Sequence, residues 1–365
     1  MPYEIDFHPV GNGSKSGDAI TMRYLDETSQ RWRTIVIDGG YGETGEQLAE
    51  HIISRYGTTH VDHVVSTHPD NDHISGLVPI LEKLSVGKLW LHAPAAHAGA
   101  MLNYFYSSRW TLEGLRARLQ TDYPLVTRLI GLAEDQGTEI HGAFQGERIG
   151  PFVVLSPSRT FYEGLLPQFR DTPQEDRDVL ATLGHLITGV GRRVAAQIRR
   201  IISEDYYTET LREGGTTAAE NESSVILGGS LDGETILLTA DAGLRALTAA
   251  IEYAGQIGLP LGSSLGIFQV PHHGSRNNLS PSILDRIVGP MATFGSRKST
   301  ACVVSAGPLD TTHPRQVVVN ALVRRGLEPM STGNGLISIW LGVSPKPGMR
   351  TPTILPFQHQ VEEYD

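Results

Sequence analysis

The chain has 365 residues, a formal net charge of −10 and 39% hydrophobic residues, an ordinary balance for a soluble globular protein. Its length suits one large α/β domain or two average ones, and no stretch approaches the roughly 18 apolar residues that a membrane span needs. The acidic balance speaks against a basic coat for tight duplex binding, but leaves open nucleic-acid chemistry in a locally positive, metal-loaded cleft.

The opening Met1-Pro2-Tyr3-Glu4-Ile5-Asp6 lacks a basic stretch followed by an apolar core, so no secretory signal is expected. Thr34-Ile35-Val36-Ile37-Asp38 reads as a buried strand ending at Gly39-Gly40. Gly42 to Tyr56 follows with Leu48, Ile52, Ile53 and Tyr56 at helical spacing. The run His63 to Thr67 is a strand, Ser75 to Leu84 a helix, Lys88 to Ala93 a short strand, and Met101 to Glu139 largely helical. Phe152 to Pro157 returns to strand. From about 159 to 220 the pattern predicts a helical insertion without clear strands. Within it a basic helix from Arg192 to Ile202 carries Arg192, Arg193, Arg199 and Arg200, most simply a solvated face and otherwise a phosphate-contacting one. The last third predicts strands at Ser223–Leu227, Thr235–Thr239, Gly266–Val270, Ala301–Ser305 and Leu336–Leu341, with helices at Ser280–Val288 and Pro314–Arg325. The single cysteine, Cys302, excludes an internal disulfide and fits a reducing cytoplasm. Its setting in Thr300-Ala301-Cys302-Val303-Val304 reads as inert strand packing.

The densest chemical signal is His68-Pro69-Asp70-Asn71-Asp72-His73, directly after the strand that ends at Thr67. Four of its six positions carry metal-ligand side chains around one tight turn, an arrangement that is electrostatically costly without a cation. Three further strand ends carry similar groups: Asp38 before two glycines, Asp241 after Leu237-Leu238-Thr239-Ala240, and His272-His273 after Val270-Pro271. Taken singly, Asp241 could cap a helix, His272 or His273 could be a satisfied polar residue, and Asp38 could fix a turn. Four such ends in one chain point to one shared site. His60, His63, His92, His97, His141, His185 and His359 are given no role.

On these residues the chain resembles the metallo-β-lactamase fold and, within it, the soluble hydrolase domain of ComEC-type competence proteins. Ile37-Asp38-Gly39-Gly40, the His68-x-Asp70-x-Asp72-His73 turn, Thr239-Ala240-Asp241 and Val270-Pro271-His272-His273-Gly274-Ser275 match its successive motifs, although the family more often has Gly at Ala240. Val10-Gly11-Asn12-Gly13 with Gly17-Asp18-Ala19 resembles its N-terminal strand pair, and Ser305-Ala306-Gly307 and Thr312-His313-Pro314 resemble further marks of the competence branch. The resemblance implies an α/β protein, an αββα sandwich formed by residues 1–365 as one domain, interrupted by the helical insertion at 159–220. It implies His68 and Asp70 at one metal, Asp72 and His73 at the other, Asp241 between them, His273 as final ligand and His272 as the weaker candidate. Asp38 would orient a ligand imidazole from behind. Asn221 stands where a lactamase has His, which weakens the first site; with no cysteine in the set, Mn²⁺ becomes plausible beside Zn²⁺.

The implied function is a metal-dependent hydrolase, foremost a phosphodiesterase or nuclease using a hydroxide generated on two metals about 4 Å apart. Asp72 would hold a metal and the water's proton, and Ser275 would donate to a substrate oxygen; His313 would contact phosphate or protonate the leaving oxygen, or is simply a surface residue before the helix-starting Pro314. The alternatives are hydrolysis of a non-phosphate ester, lactone or thioester, or a non-catalytic protein whose metal site organises an interface. The expected partner is a nucleic acid or nucleotide-type phosphodiester, with no membrane, and the expected location is cytoplasmic.

Overall fold

The computed structural model describes residues 1–11, 14–102, 104, 110–173, 201–344 and 351–364. Its first strands are β1 (Tyr3–Phe7), β2 (Ala19–Asp26), β3 (Arg31–Gly39), β4 (His60–Val65), β5 (Ser85–Trp90), β6 (Glu139–His141), β7 (Arg148–Ile149) and β8 (Phe152–Ser156). They are followed by β9 (Ile201–Ser203), β10 (Ile226–Leu231), β11 (Glu234–Leu238), β12 (Leu265–Gln269), β13 (Ala301–Val304), β14 (Glu328–Ser331), β15 (Ile337–Leu341), β16 (Thr353–Ile354) and β17 (Gln360–Glu362). A seven-stranded sheet runs β15-β1-β2-β3-β4-β5-β6, and an eight-stranded sheet runs β16-β14-β13-β12-β11-β10-β8-β7. In the first, β3 to β6 are parallel; in the second, β11 to β14 are parallel.

The side-chain period of two sorts each strand between layers. Ile35 and Ile37 enter the core between the two sheets, while Val36 enters the core beneath the outer helices. In the second sheet Ile236, Leu238, Ile267 and Val303 face the inter-sheet core, while Leu237, Phe268, Cys302 and Val304 face the helices on the opposite side. Strands covered on both faces read as unbroken apolar runs, which is why they were visible in the sequence. The result is a four-layered αββα sandwich of the metallo-β-lactamase type. Among the described residues no helix is long and apolar enough to cross a membrane.

Several boundaries differ from the sequence expectation. Ile201 and Ile202, the expected end of a basic helix, lie on β9, which pairs antiparallel with β17 near the chain's other end. A local pattern cannot reveal so distant a partner, so the expectation of a strandless 159–220 segment is corrected there. Arg192, Arg193, Arg199 and Arg200 lie outside the described residues. Residues 223–225, expected in strand, instead follow a short helix, Ala219–Glu222, whose carbonyls accept the Ser223 N–H. Cys302 is fully buried on β13, and burial pushes its thiol pKa well up, consistent with inert packing.

Candidate metal centre

The chemistry-bearing loops meet where the parallel strands end, the edge at which open α/β sheets commonly hold ligands. Asp38 closes β3, His68 to His73 follow β4, Asp241 follows β11, and His272-His273 follow β12. The backbone is bent sharply to present them: Asp38 (φ 54°), Ala240 (φ 45°), His272 (φ 47°) and His273 (φ 56°) all occupy the left-handed region. For residues other than glycine such conformations cost about 1–3 kcal/mol each and persist where the surroundings demand them. The strained Ala240 explains why glycine would be easier at that position.

Asp241 is the hub. Its Oδ1 lies 3.3 Å from His73 Nε2 and 3.7 Å from His273 Nε2, whereas its Oδ2 lies 3.8 Å from His68 Nε2 and 3.5 Å from His272 Nε2. Asp72 Oδ2 joins the first group, 3.6 Å from His273 Nε2 and 4.0 Å from His73 Nε2. Donor atoms about 2.0–2.2 Å from a tetrahedral cation sit about 3.3–3.6 Å from one another, close to these separations. His68 Nε2, His73 Nε2, His273 Nε2 and Asp241 Oδ1 are buried and have no hydrogen-bonding partner. Orphaned atoms of this kind are rare in cores, and divalent cations set among them would satisfy all four. The donor set therefore fits a metal.

The groups behind the cluster fix which imidazole nitrogen is free. Asp38 accepts from Thr67 N (2.8 Å), Thr67 Oγ1 (2.6 Å) and His73 Nδ1 (2.7 Å). Because the Thr67 hydroxyl spends its hydrogen on Asp38, it can only accept from His68 Nδ1 at 3.0 Å. One carboxylate thus leaves Nε2 of both His73 and His68 open toward Asp241. Asn278 acts likewise at His272: its amide nitrogen donates to the Asp241 and Ala242 carbonyls, so its oxygen accepts from His272 Nδ1 at 2.9 Å.

Electrostatics record the tension among these groups. Burial acts to lower the His73 and His273 pKa values, but Asp241, with Asp38 at His73 and Asp72 at His273, overrides it. His73 is raised well above its ordinary value and His273 rises to about 9. Burial, with the charge of His73, lowers the His68 pKa. Asp72 falls to about 2 despite burial, because of the imidazoles of His273 and His73. Without a cation, protons on His73 and His273 balance the carboxylates. Since His273 is raised from 6.5 to about 9, its contribution to the metal-free fold is complete below pH 6.5 and is lost as pH rises through about 9. A metal must displace those protons. Metal binding at pH 7 should therefore release protons, more than at pH 9.5, as read from the buffer dependence of the calorimetric binding heat. Equal heats at pH 7 across buffers of different ionisation enthalpy would contradict this.

His68, Asp72, His73, Asp241, His272 and His273 converge, and Asp38 stands behind them. Asp70 does not join: its carboxylate is paired with Arg170, which also reaches Glu220 at 3.1 Å. Asn221 is buried with its amide nitrogen 3.0 Å from Thr217 Oγ1 and 3.1 Å from His272 Nδ1, and its oxygen has no partner. Ser275 is buried, and its hydroxyl accepts from Asn277 N at 3.3 Å. The His313 ring stacks on His272 with centroids 5.7 Å apart and meets His273 edge-on at 6.1 Å.

The sequence reading missed three neighbours. Asp18, buried at the head of β2, lies 3.9 Å from His73 Nδ1 and shares a donor group with Asp241 and His273. Burial raises its carboxyl pKa. Its only signal was its place in the Gly17-Asp18-Ala19 segment of the resemblance, which gave it no part in the site. Asn278 and Arg170 gave no signal, because nothing in their own segments marks a partner so distant in sequence.

The model of the metallo-beta-lactamase superfamily matches residues 33–154, a third of the chain, from β3 through most of β8. It includes Asp38 and the His68–His73 turn but not Asp241, His272 or His273. No curated protein matches the chain. Among solved structures, a Thermotoga maritima protein assigned provisionally as a metallo-beta-lactamase is similar at 12% identity, over 53% of this chain and 93% of its own, with a TM-score of 0.26. The superfamily match and the clustered His and Asp side chains point to a metal-dependent hydrolase that binds divalent metal.

Proposed function

We propose that the chain is a phosphodiesterase acting on a nucleic acid or another nucleotide-type phosphodiester, with two divalent cations, Zn²⁺ or Mn²⁺, held around Asp241. The observation that carries this reading is the division of Asp241, one oxygen facing His73 and His273 and the other facing His68 and His272. A carboxylate shared between two sets of donors suits paired cations, the arrangement that clamps both oxygens of a phosphodiester displacement. Asp72, His73 and His273 would serve one site with Asp241 Oδ1; His68 and His272 would serve the other with Oδ2. Asp70 would complete the second only on leaving Arg170; Asn221 adjoins His272 without a hydrogen bond to it, because Nδ1 gives its hydrogen to Asn278 and the Asn221 amide nitrogen donates to Thr217 Oγ1. Imidazole and carboxylate donors without thiolate suit Mn²⁺ as well as Zn²⁺.

Cations bound there would supply positive charge that brings the pKa of water from about 16 to about 7 and neutralises phosphate oxygens. Asp38 keeps the His68 and His73 donor nitrogens aimed inward. Asp72, more exposed than the other cluster carboxylate, is placed to hold water against its oxygens. Ser275 follows the two histidines, but its hydroxyl would have to turn from Asn277 to reach a substrate. A cytoplasmic setting belongs to the same proposal, supported by the lone buried thiol.

The test compares metal-stripped wild type and Asp72→Ala on single- and double-stranded DNA, RNA and bis(p-nitrophenyl) phosphate, with Mn²⁺ or Zn²⁺ restored. Metal-dependent cleavage lost in the variant supports the reading. Folded, metal-loaded protein that cleaves none of these substrates overturns it in favour of an ester or a binding role.

A further inference from the structure

Asp18 is a carboxylate of the cluster to which the two-cation assignment gives no part. Its backbone is locked in place. The N–H donates to Asp72 O at 3.3 Å, and the carbonyl accepts from the Gly40 N–H at 2.8 Å. Gly17 before it lies flat on the turn that carries Asp72, since a Cβ there would fall 2.4 Å from Asp72 O. The side chain is 2% exposed, so it faces the interior and not solvent. Its Oδ2 stops 3.9 Å from His73 Nδ1, whose hydrogen Asp38 already takes at 2.7 Å. The Ser305 hydroxyl stands beside the carboxylate, but Oδ1 is buried with no hydrogen-bonding partner. A carboxylate oxygen sealed from water in this way is costly unless a cation faces it. Among the described residues no lysine or arginine forms an ion pair with Asp18.

What faces it is the metal cluster. One Asp18 oxygen, one Asp241 oxygen and one His273 ring nitrogen lie within 4.8 Å of one another, and His273 forms a like group with Asp72 and His73. Asp18 therefore adds to the side of the centre that holds Asp72, His73 and His273, and not to the side that holds His68 and His272. The two sides then differ in kind. Asp18, Asp72 and Asp241 give the first side three carboxylates with two imidazoles, while the second has two imidazoles and the other oxygen of Asp241. Five donors rich in charged oxygen exceed the four of a tetrahedral zinc site and suit a hard, six-coordinate ion, whereas imidazole suits zinc.

Resting on the two-cation reading above, we infer that Asp18 is the fifth donor of the site formed by Asp72, His73, His273 and Asp241, and that it biases this site toward Mn²⁺. The backbone bonds to Asp72 and Gly40 hold the carboxylate against the cluster before any ion arrives. The side with His68 and His272 lacks such a group and keeps the greater preference for Zn²⁺.

The test is calorimetric titration of the metal-stripped full chain with MnCl₂ alone and with ZnCl₂ alone, at one pH. Electron paramagnetic resonance counts the bound Mn²⁺, and circular dichroism checks the fold. Asp18→Asn keeps the size and the backbone bonds but removes the charge. It should weaken Mn²⁺ binding at one site at least about tenfold and shift the ratio of the two affinities against Mn²⁺. Affinities that are unchanged, that fall by one common factor, or that fall more for Zn²⁺ would overturn the inference and leave the phosphodiesterase standing. Should the variant not fold, anomalous scattering from crystals of Mn²⁺-loaded wild type decides. An ion bonded to an Asp18 oxygen supports the assignment; an ion held by Asp72, His73, His273 and Asp241 with Asp18 out of reach overturns it. Wild type that retains neither ion overturns the two-cation reading and the inference with it. Wild type that loads both ions yet cleaves no phosphodiester overturns the substrate reading and leaves the assignment of Asp18 intact.

Discussion

Asp241→Asn is expected to lower phosphodiester cleavage by roughly three orders of magnitude, about 4 kcal/mol of transition-state stabilisation, and to abolish the binding of a second metal. Asparagine keeps the shape and one oxygen, so the loop after β11 retains its path and the Asn278 contacts to the 241 and 242 carbonyls survive. What disappears is the charge shared between two pairs of imidazoles, with separations of 3.3 to 3.8 Å. A neutral amide holds one cation weakly and cannot offset two. Metal content and kcat measured on the same preparation check this. Near-normal loading with two metals per chain would show that Asp241 is not the bridge.

Gly76→Ala should be the most damaging single-methyl change in the N-terminal half, costing about 3–5 kcal/mol and taking metal binding with it. A Cβ built on Gly76 would fall 1.9 Å from the Gly39 carbonyl oxygen and 2.6 Å from its carbon, with Tyr41 O at 2.8 Å. All of these are backbone atoms, so no side chain can rotate out of the way. Gly39 presses on the same spot from the other side, since its own Cβ would lie 2.4 Å from Gly76 C. The contact joins the residue after Asp38 to the turn that carries Asp72 and His73, and the Gly76 N–H donates to Gly40 O at 2.9 Å. Forcing these backbones apart would pull Asp38 from His73. Denaturant unfolding and metal titration of the variant read both effects; unchanged stability would show that the two backbones have room to separate.

The sequence made much of this legible where the signal was local. Ile35-Val36-Ile37, Leu237-Leu238 and the run around Cys302 announced themselves because strands covered on both faces need apolar residues at every position. The His68–His73 turn was conspicuous because so many ligand groups seldom share six residues. What stayed hidden depends on long-range pairing. β9 finds β17 about 160 residues away, and its three residues carry no pattern of their own. Asp18 stood in the sequence only as part of the Gly17-Asp18-Ala19 resemblance, and its place beside His73 depends on where the loop before β2 runs. Asp70 fits the ligand spacing, yet Arg170, 100 residues on, takes its carboxylate. His272 ranked below His273 by position alone, and only the left-handed backbone at both residues turns the two imidazoles onto Asp241 together.

The most direct test of the central claim is the metal content of the wild-type chain after stripping, refilling with Mn²⁺ or Zn²⁺ and removal of free ion, read by elemental analysis or native mass spectrometry. The donors around Asp241 predict two ions per chain, falling to at most one in Asp241→Asn. A folded wild-type chain that retains no ion at neutral pH would contradict the account.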